Sequence, residues 1–132
     1  MINGFDEQTS PLNGYEHNVL LPVIIGLIGT KVGKRNAITN KEICAIMSEC
    51  GYKVNEPRIR KMINHIRTND YVRCLTASAG GYFIATEKEE LEEYIQSLEN
   101  RESAIRAVRK SMERQMACVF NSSIQYELEF KD

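Results

Sequence analysis

Catalysis or metal binding in a chain of 132 residues has to come from its cysteines, histidines, hydroxyls and carboxylates. The four cysteines (Cys44, Cys50, Cys74 and Cys118) form no Cys-x-x-Cys pair, and His17 and His65 stand apart from them, so no zinc set is expected. No Gly-x-Ser-x-Gly elbow is present. Gly26, Gly29 and Gly33 are too loosely spaced to cradle a phosphate, and Lys34-Arg35 is followed by neither Ser nor Thr. The sequence therefore predicts no enzyme, no metal and no cofactor, and its thiols read as the reduced cysteines of a cytoplasmic protein. What remains is charge. The segment NEPRIRKMINHIR, residues 55–67, holds four Lys or Arg and one His against Glu56 alone, in a chain of net charge −1. Concentrated cationic charge of this kind neutralises phosphates.

The rest of the chain is patterned to match. Residues 31–73 carry ten Lys or Arg against four acids, whereas residues 1–30 carry three acids and no Lys or Arg. Residues 74–132 are acidic, with eleven acids against seven bases. The longest apolar stretch, VLLPVIIGLI, is too short to span a bilayer, so no membrane association is expected. It reads as a buried core helix with Pro22 in its first turn.

The elements that position the basic segment follow from caps and periodicity. Residues 1–15 form a loose leader, and TKVGKRN is a basic loop followed by a short extended AIT. Thr39 and Glu42 make a capping box for a helix with Ile43, Ile46 and Met47 on one face, stopped by Gly51. Asn55 caps a second helix, with Pro57 in its first turn and Ile59, Met62, Ile63 and Ile66 forming one apolar stripe. DYVRCLT and YFIA read as the strands of a hairpin around ASAGG. Thr86, with Glu89 as box partner, opens a long helix to about Met116. The expected fold is mainly α with a small β-hairpin wing: a winged helix-turn-helix over residues 16–85, a long helix over 86–117, and a tail or strand over 118–132.

The stretches GKRNAITNKEI, RIRKMINHIR and GGYFIATEKEELEEYIQSLENR together resemble small winged-helix DNA-binding proteins of bacteriophages and prophages. The resemblance covers roughly residues 33–101. It implies DNA contact by the second helix, Arg58 to Arg67, and by the wing, Ser78 to Tyr82. It also implies a role in replication or transcription control.

Helical geometry refines the assignment. With the isoleucine stripe inward, Pro57, Lys61, Asn64 and Thr68 face outward, flanked by Arg60 and His65, with Arg58 further round. Lys and Arg suit phosphates, while Arg and Asn suit guanine and adenine edges. The expected double-stranded-DNA surface comprises Asn55, Arg58, Arg60, Lys61, Asn64, His65, Arg67 and Thr68. Lys41 on the preceding helix and Arg73, Ser78, Gly80 and Gly81 of the wing complete it, and Lys31, Lys34 and Arg35 reach the backbone beside it. Solvated helix faces are commonly charged as well, and the same basic face would suit an acidic protein partner. An interaction module is thus the competing class.

Leu91, Leu98, Ile105 and Met112 recur every seven residues, thickened by Val108, as in the seam of a homodimer. A helix folded back on its own domain is the alternative. In the tail, Ile124, Tyr126, Leu128 and Phe130 alternate as in a strand. Gln125, Leu128 and Phe130 also fit a Gln-x-x-Leu-x-Phe spacing that resembles bacterial sliding-clamp-binding peptides.

Overall fold

The structure is a computed structural model that describes residues 9–121. It is mainly helical, with one two-stranded antiparallel sheet. The described chain packs as two units that divide between Tyr94 and Ile95.

The first helical run begins earlier than the apolar stretch alone predicts. Tyr15 already has helical dihedrals, a π-helical turn occupies Glu16–Leu20, and α1 (Leu21–Ile28) continues from it. Pro22 therefore lies in the first turn of α1, as expected, but that turn continues a helical run already under way. Proline lacks an N–H and its ring collides with the carbonyl one turn back. Directly before it, the Leu21 N–H reaches back five residues to the Glu16 carbonyl, a widened turn that takes up the misfit. Leu20, Leu21, Ile24 and Ile28 are buried along this helix.

The next two helices start where their caps predict. Thr39 accepts from the Glu42 N–H and the Glu42 carboxylate accepts from the Thr39 N–H, closing the box that opens α2 (Asn40–Glu49). Gly51, at φ +87°, ends it in the left-handed conformation, with the Tyr52 N–H bonded back to the Met47 carbonyl. Asn55 accepts from the Arg58 N–H and opens α3 (Glu56–Thr68). Here Asp70 plays the part that glycine plays after α2. It sits at φ 58°, and the Tyr71 N–H returns to the Ile66 carbonyl. That stop, with Cys74 also left-handed, turns residues 70–74 away from the extended path. The first hairpin strand accordingly starts at Leu75 rather than at Asp70.

Strands β1 (Leu75–Ser78) and β2 (Gly81–Ile84) pair with Leu75 opposite Ile84 and Ser78 opposite Gly81. On its other edge β2 bonds to the chain between α1 and α2. Ile38 and Tyr82 exchange both backbone hydrogen bonds (2.9 and 2.7 Å) in an antiparallel bridge, while the Ile84 N–H donates to the Lys31 carbonyl and its carbonyl accepts from the Gly33 N–H, a parallel bridge to Val32. The Ile59, Met62, Ile63 and Ile66 stripe of α3 packs with Leu21, Ile24 and Ile28 of α1, Ile43 and Met47 of α2, and Ile38 and Leu75. Phe83 is buried while Tyr82 is half-buried, its hydroxyl donating to Asn40 Oδ1 at 2.8 Å.

The long helix, α4 (Lys88–Met116), begins two residues after Thr86. Its start is closed by Glu90, whose carboxylate accepts from the Thr86 and Glu87 N–H groups, so the cap comes from Glu90 and not from a Thr86–Glu89 box. Past Met116 the path stays helical through a π turn, Ala117–Asn121, where a tail or strand was expected.

Gly81 has φ +117°, and a Cβ there would lie 2.2 Å from the Ile38 carbonyl oxygen, whereas Gly80 has only ordinary neighbours. Gly81→Ala is expected to lower the unfolding free energy by about 2–4 kcal/mol, and Gly80→Ala by under about 1 kcal/mol. Urea denaturation of the two variants beside the parent measures the difference.

Candidate nucleic-acid interface

The α3 stripe that enters the core dictates what faces out. Asn64 and Thr68 are exposed, and Arg60, Lys61 and His65 are half-buried. Lys61, Asn64, His65 and Thr68 line a polar depression of about 330 Å³, bordered by Thr9. The Lys61 ammonium lies 3.5 Å from the Thr9 carbonyl, and the Thr68 hydroxyl donates to the Asn64 carbonyl at 2.8 Å. The His65 ring meets His17 edge-on at 5.1 Å between centroids and tilts against Tyr71 at 5.7 Å. Among the described residues this face is open and hydrogen-bonding.

Two of the four cations are turned elsewhere. Arg58 Nε and Nη2 donate to the two carboxylate oxygens of Glu16 at 2.7 and 2.6 Å, a bidentate pair with side chains 15% and 6% exposed. The same guanidinium donates to the Ser10 and Pro11 carbonyls, both at 3.0 Å. Glu16 also accepts from the Asn13 N–H at 2.9 Å. The hydrogen bond from Arg58 holds its carboxyl below the usual carboxylate range, outweighing the opposing effect of burial. The expectation that Arg58 faces DNA is corrected on this geometry: it fastens α3 to the first helical run and to residues 10 and 11.

Arg67 is held too. Its guanidinium carbon lies 5.7 Å from the ring centre of Tyr82 and 5.3 Å from that of Tyr94, within cation–π range of both. Nη1 donates to Asn64 Oδ1 at 3.4 Å, and Nε and Nη2 are buried without a hydrogen-bond partner among the described residues. A guanidinium buried between aromatic rings is not offered to a duplex, so Arg67 is likewise removed from the expected contacts. Burial raises the Tyr82 hydroxyl pKa, partly opposed by its hydrogen bond to Asn40.

The remaining expected residues are distributed around α3. Arg60 makes an exposed one-turn pair with Glu56 at 3.5 Å, a contact that solvent screens heavily. Asn55 is engaged as the α3 cap. Lys41 is exposed in the first turn of α2, and Arg73 is exposed before β1. Ser78 is half-buried, its hydroxyl accepting from the Gly80 N–H at 3.2 Å. Gly81 is committed to its approach to Ile38. Lys34 and Arg35 are exposed in a 3-10 turn, Lys34–Asn36, while Lys31 is half-buried. On α4, Leu91 is half-buried and Leu98, Ile105, Val108 and Met112 are exposed. Gln125, Leu128 and Phe130 lie outside the described residues. Among the described residues no cluster of His, Cys, Asp or Glu is placed to hold a metal, and no helix is long and apolar enough to cross a membrane.

Comparison with known proteins finds no matching family model, curated relative or solved structure.

Glu16 is the residue that sequence reasoning passed over. The signal was there: Glu16, Leu20, Ile24 and Ile28 repeat every four residues, which sets a carboxylate on a buried stripe and demands a cation. Removing that cation with Arg58→Ala should destabilise the protein by about 3–5 kcal/mol at neutral pH. A depressed pKa in the folded state means stability that is complete above the unfolded carboxyl value of 4.5 and is lost as pH falls through the folded value. Glu16→Gln is expected to be less stable at pH 7 and to show a shallower loss of stability below pH 4.5, measured by thermal melts across the acid range.

Proposed function

We propose that this chain is a double-stranded-DNA-binding winged helix-turn-helix protein, acting without catalysis in replication or transcription control of a phage or other mobile element. The observation that carries the reading is the open polar side of α3. Lys61, Asn64, His65 and Thr68 point away from the core on the second of two capped helices, with Arg60 beside them. Lys61 and Arg60 supply phosphate neutralisation, and Asn64 has the donor and acceptor that an adenine edge requires. Lys41 and Arg73 add exposed positive charge on the elements before and after α3. The β1–β2 hairpin takes the place of the wing, with Ala79 and Gly80 at its tip. A homodimer joined through α4 belongs to the same reading.

A second reading rests on a different observation. Ile95, Leu98, Ile105, Val108, Met112 and Met116 are all exposed on α4, more apolar surface than a solvated helix normally shows. That surface fits an interaction module as well as it fits a homodimer, and in the module the basic face of α3 meets an acidic protein. A sliding-clamp contact through Gln125, Leu128 and Phe130 fits either reading.

Fluorescence anisotropy with a random DNA duplex at two salt concentrations separates the two. Each phosphate contact contributes about 0.9 log unit of affinity per log unit of salt. With Arg60, Lys61, Lys41 and Arg73 in contact, the slope should be about −3 to −4. Arg60→Ala with Lys61→Ala should flatten it by about 2. Absent binding at low salt favours the interaction module. For the tail, Gln125→Ala with Phe130→Ala should abolish any micromolar clamp affinity of the parent.

A further inference from the structure

The apolar row on α4 is accompanied by charges sorted by sign. Residues 88–102 carry six acids and two bases, and residues 103–116 carry four bases and one acid. The helix dipole favours acids in the first turn and bases in the last, and its influence fades within a turn of each end. Glu99, Glu102, Arg106 and Arg109 stand in the middle of α4, beyond that influence. The sign changes next to Glu102, the midpoint of a helix that runs from Lys88 to Met116. Exposed apolar side chains occur on both sides of this midpoint: Ile95 and Leu98 before it, Ile105, Val108 and Met112 after it.

We propose that α4 pairs with the α4 of a second copy of this chain in the antiparallel sense, so that the acidic half of each helix lies along the basic half of the other. The inference rests on the homodimer reading above and adds its orientation and its registering charges. A parallel pair would set acid beside acid over one half and base beside base over the other, which opposes association. Turning one helix end for end converts both halves to attraction. It also keeps the apolar residues in contact, because Leu98 comes to lie beside the partner's Ile105 and the partner's Val108. Arg101, which stands seven residues from Tyr94 and from Val108 at the second position of the seam, then faces the partner's Glu102. A polar residue of this kind inside a seam fixes alignment at some cost in stability.

The experiment has two arms and uses the full chain. Light scattering at about 100 µM, a concentration that populates any dimer of micromolar affinity, is expected to give twice the chain mass, and Ile105→Asp to give the monomer. Ile105 is exposed, so the circular-dichroism melt of that variant reports whether its fold is intact. Orientation is then read from disulfides mapped by mass spectrometry after mild oxidation. A mixture of the Leu98→Cys and Ile105→Cys variants should yield the link between positions 98 and 105. Met112→Cys should yield no link between two positions 112, which an antiparallel pair holds about 30 Å apart. A 112-to-112 disulfide overturns the orientation and leaves dimerisation standing. A monomer at that concentration overturns both.

Discussion

The carboxylate of Glu16 sits on a face that is otherwise leucine and isoleucine, and an unpaired charge there is not tolerated in a folded protein. Arg58 supplies the one partner whose planar fork satisfies both oxygens at once. Much else follows from that requirement. The first helical run has to approach α3 at its N-terminal end, and residues 10 and 11 are drawn against the same guanidinium. Thr9 is thereby brought to the rim of the polar depression on α3. The pair is thus the reason residues 9–11 lie where they border the candidate interface.

The charge that marks residues 55–67 in the sequence has two uses in the structure, and only one faces solvent. Arg58 satisfies a buried acid, and Arg67 fills the space between two tyrosine rings. Arg60 and Lys61 stay on the outer side of α3, with Asn64, His65 and Thr68 beside them. A face with two cations attracts a phosphate backbone less strongly than one with four, so hydrogen bonding carries a larger share of any recognition. Lys41 and Arg73, outside the segment that first draws notice, add exposed positive charge.

Local signals in the sequence were reliable where a single side chain settles the matter. The Thr39–Glu42 box, the Asn55 cap and the Gly51 stop each sit where their chemistry requires, and the isoleucine stripe of α3 is buried as its spacing implies. The departures arise where the outcome depends on residues distant in sequence or on an unusual backbone. Asp70 in the left-handed conformation shortened the first hairpin strand. Glu90, rather than a Thr86–Glu89 box, closed the start of α4. A π turn let Pro22 sit inside a helical run. The inward commitment of Arg58 was readable only by pairing it with Glu16, and that of Arg67 only by knowing that Tyr82 and Tyr94 converge on it. Spacing within one element places a side chain on a face; it does not say what the rest of the chain brings to that face.

The partners of the Glu16–Arg58 pair stand 42 residues apart in the chain. During synthesis the acid leaves the ribosome well before the base that neutralises it, with the whole of α1 and α2 made in between. Until Arg58 emerges, the apolar stripe headed by Glu16 lacks the cation that pairs with its carboxylate. Forming the pair therefore closes a loop that spans α1 and α2, and the entropic cost of that closure is offset only once α3 is in place.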